Sequence, residues 1–348
     1  MAVRWTIITI SIFLLLGSFL VNACKKSGGG DSGPHPLSFT IPAGFPAPAY
    51  NFENNPLTQE GFELGRKLFY DGRLSKDGNF PCASCHQQFA AFATFDHDLS
   101  HGFNNQFTTR NSPGLFNMAW VKEMHWDGGI NNIEVQPLAP ITAPNEMAED
   151  INNVINKLQQ DDGYKRMFKA AFGDETINSQ RMLLALTQFV GSLVSANSKY
   201  DRVKKGQASF TETEQNGYAI FQAKCTGCHV EPLFTDNSFR NTGLPVNPVL
   251  KDIGRMAITG RPEDSLKFKV PGLRNVALTF PYGHDGRFYS VLSVLDHYSS
   301  GVQDGPTVDP LVKGGIVLSN FEKFYVGEFL KTLTDSSFIQ DPRFAQPQ

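Results

Sequence analysis

Four of the five cysteines fall into two copies of one pattern, Cys82-Ala83-Ser84-Cys85-His86 and Cys225-Thr226-Gly227-Cys228-His229. On one helical turn the positions i, i+3 and i+4 share a face, so two thiols and the next imidazole converge on a single object. That arrangement suits a c-type haem, bonded through both sulfurs and ligated at iron by the histidine. Paired Cys-x-x-Cys also builds four-cysteine zinc sites, but such pairs usually stand closer than the 143 residues between Cys82 and Cys225. Two local disulfides are the other alternative. Neither alternative uses the histidines, and two covalent haems are the favoured reading.

The chain is long enough, at 348 residues, to support a core without stapling. Its formal charge of −3 offers no basic field for a nucleic-acid backbone. Charged residues make up 19 % and phenylalanines number 29, which excludes a solvating, disordered chain. The 31 glycines and 21 prolines point to helices joined by irregular loops, a mainly α fold.

An internal repeat sets the expected domain plan. Gly61–Phe69 and Gln215–Phe221 read as amphipathic helices leading into the two motifs. Pro113-Gly114-Leu115-Phe116-Asn117 matches Pro271-Gly272-Leu273-Arg274-Asn275 at an offset of 158, and the same offset pairs Trp126-Asp127-Gly128 with His284-Asp285-Gly286. The motifs themselves are only 143 apart, so the first half carries surplus loop, Gln87–Arg110. Asn145 is placed to cap a helix over 146–159. Ser179–Ser198 reads as an apolar helix, 204–211 as a linker, and Asn320–Leu333 as a last helix against the second half.

At the start, Arg4 precedes an apolar run from Ile7 to Val21, which reads as a secretory signal over 1–23. Ala23-Cys24 resembles a lipoprotein processing site, so Cys24 is the expected lipid anchor of an exported, periplasmic or outer-membrane lipoprotein. Residues 24–55 read as a flexible tether. Two cytochrome c-like haem domains follow, over 56–204 and 205–348, related by the repeat and bearing long irregular loops.

The ordered series Cys82–His86, Arg110-Asn111-Ser112-Pro113, Trp126-Asp127-Gly128, Asn145-Glu146-Met147, Cys225–His229, Phe268-Lys269-Val270-Pro271 and Pro281-Tyr282-Gly283-His284-Asp285-Gly286 resembles the bacterial di-haem cytochrome c peroxidase and MauG family, from about Leu57 to Asp335. The resemblance implies an oxidoreductase that reduces hydrogen peroxide to water, with electrons passed from the C-terminal haem to the N-terminal one. His86 and His229 become proximal iron ligands. Glu146 falls on the family's acid–base position and Gln136 on its distal pocket. A carboxylate in that place can take a proton from one peroxide oxygen and return it to the other; a simple helix-dipole role is the alternative for Glu146. Trp126 falls between the haems as a relay, whereas Trp120 is read as core. Asn111, Thr279 and Pro281 match an interdomain calcium site.

At the second haem's sixth-ligand position the sequence has Tyr298, as MauG-like members do, where peroxidases of the family use Met; Met256 and His297 are the alternatives. In the surplus loop His101 is a candidate cap over the N-terminal haem, and His284 is expected against haem propionates. His35 and His125 receive no role. The resemblance also implies a small redox donor, a cytochrome c or a cupredoxin, and allows a homodimer. Two other functions stay open: peroxide-driven oxidation of a partner protein or small substrate, and a non-catalytic di-haem electron carrier.

Overall fold

The computed structural model describes residues 33–348, so the signal sequence and Cys24 lie outside the described residues. Helices occupy 38 % of the chain and strands 5 %, in keeping with the mainly α expectation. In chain order the helices are α1 (Gln59–Phe69), α2 (Cys82–Cys85), α3 (Leu138–Thr142), α4 (Ile151–Gln159), α5 (Asp162–Phe172), α6 (Ser179–Gly191), α7 (Lys199–Lys204), α8 (Glu212–Lys224), α9 (Met256–Thr259), α10 (Val291–Asp296), α11 (Asn320–Lys331) and α12 (Ser336–Ile339). Two short strands, β1 (Phe239–Arg240) and β2 (Phe268–Lys269), pair antiparallel with Phe239 opposite Lys269.

The repeat is visible in how two helix pairs cross. In α1 the Thr58 side chain caps by accepting from Gly61 N–H, and Phe62, Leu64, Leu68 and Phe69 are buried. In α8 Thr211 and Glu214 form a capping box, and Ser319 and Glu322 form another on α11. α1 packs on α6 and α8 packs on α11, each at a glycine. A Cβ on Gly65 would stand 1.9 Å from the Ala185 carbonyl, and a Cβ on Gly217 would stand 1.9 Å from the Tyr325 carbonyl. The backbones therefore touch where only hydrogen fits.

Each pair seeds an apolar core. The first gathers Leu64, Leu68, Phe69, Phe92, Phe168 and Phe189, and also takes Phe338 and Phe344 from the end of the chain. The second gathers Tyr200, Phe221, Phe234, Val326, Phe329 and Leu333. At the same offset of 158, Asn117 and Asn275 both adopt a left-handed backbone, at φ 57° each. Asn117 N–H donates to Leu193 O and Asn275 N–H to Leu333 O, just beyond α6 and α11.

Several local expectations are corrected. Residue 146 does not open a helix: Ala148 has φ 55°, which interrupts any helical run, and α4 starts at Ile151 under the Asp150 cap. Asn145 instead donates from its amide to Phe107 O at 3.0 Å. The apolar helix stops at Gly191, after which Leu193, Ser195 and Ser198 run buried toward α7. The stretch up to residue 55 is no free tether in its described part. Leu37 N–H donates to Leu57 O, Tyr50 N–H donates to Ala119 O, and Phe52 and Asn55 are buried.

Gly65→Ala and Gly217→Ala should each lower the unfolding free energy by about 1–3 kcal/mol, since a backbone clash outweighs the roughly 1 kcal/mol gained in helix propensity. Gly327→Ala, whose Cβ would meet nothing within 4 Å, should raise stability. Denaturant titration of the three variants checks the sign of each.

Candidate haem sites

Both motif histidines leave a closed turn. His86 N–H donates to Cys82 O and His229 N–H to Cys225 O, at 3.0 Å in each case. Each imidazole is then fixed by a carbonyl, which can only accept: His86 Nδ1–H donates to Phe92 O at 2.9 Å and His229 Nδ1–H to Phe234 O at 3.0 Å. Holding the proton on Nδ1 leaves the Nε2 lone pair free, the tautomer that an iron ligand requires. Burial lowers both imidazole pKa values and so favours the neutral form. Phe92 and Phe234 are fully buried and sit at φ 59° and 57°, a left-handed backbone that aims their carbonyls at the rings.

His86 and His229 line one cavity of about 940 Å³, with Cys225 and Cys228 in its wall. Cys82 packs against the first core. The four thiols are not bonded to one another. Among the described residues no group of three or more His, Cys, Asp or Glu could hold a metal ion, which leaves zinc without ligands. Leu115, Phe116, Leu233, Val270, Leu295 and Leu330 give the cavity an apolar lining. Apolar walls, two fixed imidazoles and thiols on closed turns fit porphyrin.

On the His86 side the cavity wall includes Gln136, Pro140, Glu146 and His125. The turn that carries Glu146 is buttressed by the surplus loop: Phe103 N–H donates to Glu146 O at 2.7 Å, and a Cβ on Gly102 would lie 2.3 Å from Asn145 O. Loss of water around Glu146 raises its pKa above the ordinary carboxylate range. Gln136 donates from Nε2 to His125 Nε2 at 3.3 Å. His125 lacked any signal in the sequence beyond its place before Trp126. His101 does not reach the cavity; its imidazole bonds Asn105 Oδ1 at 2.8 Å and packs on Phe107.

Trp126 lines the cavity and is tied to both halves. Its indole N–H donates to Asn111 O at 2.9 Å, and its carbonyl accepts from Lys269 N–H at 2.7 Å. Asn111 N–H in turn donates to His284 O, and Asn111, Thr279 and Pro281 all border the same cavity. Nearby, Arg110 bridges Asp127 and Asp252. Burial pushes the Lys269 amine down to about 8. His284 stacks on Phe268 with centroids 3.7 Å apart, and burial pushes its imidazole down to about 4.

On the His229 side the helix after α10 widens into a π turn, His297–Gly301. Such turns recur at functional positions because they re-aim one side chain. Tyr298 lines the cavity there, and its removal from bulk water raises the phenol pKa. His297 also borders it but donates from Nε2 to Thr242 O at 2.9 Å. Met256 sits on α9, outside the cavity wall.

The comparisons agree with this geometry. Residues 59–209 match the family model described as di-haem cytochrome c peroxidase. A methylamine utilization protein MauG from Methylophilus methylotrophus is 34 % identical over 313 residues, 87 % of this chain and 90 % of that protein. The chain belongs to the di-haem cytochrome c peroxidase and MauG family. A cytochrome-c peroxidase, IdrP2, from Denitromonas iodatirespirans is 33 % identical over 78 % of this chain and 81 % of its own. The crystal structure of a MauG-like protein associated with microbial copper homeostasis superposes with a TM-score of 0.79 at 34 % identity, covering 89 % of this chain and 99 % of that one. As a member of this family the protein is an oxidoreductase carrying two c-type haems.

Replacing Cys225 and Cys228 together by Ala should leave one covalent haem. Intact-mass spectrometry should then show a loss of one porphyrin, with the remaining one still attached at Cys82 and Cys85.

Proposed function

We propose that this protein reduces hydrogen peroxide to water at the His86 side, using electrons that enter at the His229 side. The observation that carries this reading is Glu146, a carboxylate drawn out of water in the cavity that His86 enters. A haem bound at His86 would supply the iron at which the peroxide O–O bond is cleaved. Glu146 would move one proton between the two peroxide oxygens, so that the outer one leaves as water. Gln136, held by His125, would orient the bound peroxide by its amide. Trp126, hydrogen-bonded into both halves, is the proposed electron path between them.

Asn111, Thr279 and Pro281 are the proposed ligands of one calcium ion where the halves meet, through the oxygens that a hard cation prefers. The proposed donor is a small redox protein, a cytochrome c or a cupredoxin. The proposed setting is the periplasm or the outer membrane, with attachment by lipid on Cys24.

Tyr298 favours a second reading. Tyr298 would help hold a haem bound at His229, and a phenolate there would stabilise oxidised iron, unlike the Met of a peroxidase. Peroxide would then drive oxidation of a partner protein, as in the MauG-like branch. Tyr298→Phe should change the ferric absorption and resonance spectra and raise the potential of one haem only; identical spectra in the variant would remove this reading.

Glu146→Gln should cut peroxide turnover by about 10²–10⁴-fold with both haems retained. Because burial raises the pKa of Glu146, the basic carboxylate is lost at a higher pH than usual. Turnover should therefore fall as pH drops through a value above the ordinary carboxylate range, and the residual rate of the variant should lack that acid limb. Steady-state assays across pH, with a reduced cytochrome as donor, decide the matter.

A further inference from the structure

Trp120 lines the same cavity as His86 and His229, and a line of aromatic rings leads from it toward the surface. The Phe39 ring lies 5.6 Å from Trp120, Phe52 lies 4.9 Å from Phe39, and Tyr50 lies 4.9 Å from Phe52, centroid to centroid. Two backbone ties fix this line in place. The Trp120 indole N–H donates to Pro46 O at 2.8 Å, and Tyr50 N–H donates to Ala119 O at 2.9 Å. Aromatic contacts at such spacing are common in cores; the two ends set this one apart. One end opens on the haem cavity. The other is a half-buried tyrosine whose hydroxyl donates to the Glu134 carboxylate at 2.7 Å.

Removing an electron from a phenol makes its proton strongly acidic, so oxidation is easy only where a base waits at hydrogen-bond distance. Glu134 is such a base. Trp120 and Tyr50 are the two oxidisable side chains of the line, and Phe39 and Phe52 fill the space between them without a polar gap.

We propose that Tyr50 is a redox-active side chain through which this protein oxidises one-electron donors, phenolic in class, that are too large to enter the cavity. The inference rests on the peroxide reading above. Splitting hydrogen peroxide leaves the cavity short of electrons; Tyr50 supplies one by way of Trp120. Its O–H bond breaks, the proton passes to Glu134, and a neutral tyrosyl radical remains. A phenol at the surface then returns one electron to Tyr50, Glu134 returns the proton, and the donor leaves as its own radical after losing its proton to water.

The test mixes the oxidised di-haem protein with hydrogen peroxide, freezes it within milliseconds, and records the absorption spectrum and the electron paramagnetic resonance together. The expected result is a radical signal that narrows when tyrosine is ring-deuterated. It should disappear in Tyr50→Phe, which keeps the ring contacts, and fall at least fivefold in Glu134→Gln. Haem bands that respond to peroxide without a tyrosine signal, or with a signal that survives in Tyr50→Phe, would overturn this proposal and leave peroxide reduction standing. Haem bands that do not respond to peroxide would overturn both.

Discussion

The two halves are held in register by one buried carboxylate. Asp335 accepts from Ser195 Oγ and from the backbone N–H groups of Ala196 and Asn197 on one oxygen, and from Ser337 Oγ and Phe338 N–H on the other. Asn117 and Asn275, the equivalent residues of the repeat, both close on this point: Asn117 exchanges bonds with the backbone of Ser195, and Asn275 donates to Ser195 Oγ while accepting from Asp335 N–H. A polar group this deep is tolerated because its acceptor capacity is met by three backbone N–H groups and two serine hydroxyls. The paired asparagines lie four residues beyond Pro113 and Pro271, on the segments that wall the cavity, so this seam anchors both of those segments.

A buried ion pair works at the edge of the same seam. Arg274 has no solvent exposure and meets Asp201 through two bonds of 2.8 Å, with a third to Pro232 O. Its guanidinium also lies over the faces of Phe45 and Phe234. Phe234 is the residue whose carbonyl orients His229, so the pair braces the second ligand from behind. The first half has Phe116 at the equivalent place, and apolar packing does that work there. The repeat thus preserves backbone geometry and lets side chains differ, which is how two like halves come to offer different cavity walls, Glu146 beside His86 and Tyr298 beside His229.

The sequence made the attachment turns, the repeat and the helices that precede each haem motif readable, because each rests on local spacing: Cys-x-x-Cys-His on one turn, apolar residues at helical intervals in Gly61–Phe69 and Gln215–Phe221, a constant offset of 158. It also brought Glu146, Gln136, Trp126 and Tyr298 forward, and the structure places all four on one cavity. What it hid depends on backbone conformation and long-range packing. Ala148 gives no sign of its left-handed φ, so the helix expected over 146–159 begins only at Ile151. Phe92 and Phe234 follow their histidines at different distances, six and five residues, which conceals their shared task. His101 looked like a cap by its place in the loop, while the neighbouring Gly102 is the residue that approaches the Glu146 turn. Residues 35–55 look loose by composition, yet single aromatic contacts such as Phe39 on Trp120 tie them down.

Phe338 and Phe344, the last aromatic residues of the chain, complete the core built by α1 and α6. A core assembled from α1, α6 and these two rings is complete only once residues about 280 positions apart have met, the longest separation any packed cluster here has to bridge. Its companion, Tyr200 to Leu333, has every part it needs slightly earlier. The second core draws on residues 200–333 alone, so it can be completed without Phe338 and Phe344, whereas the first cannot.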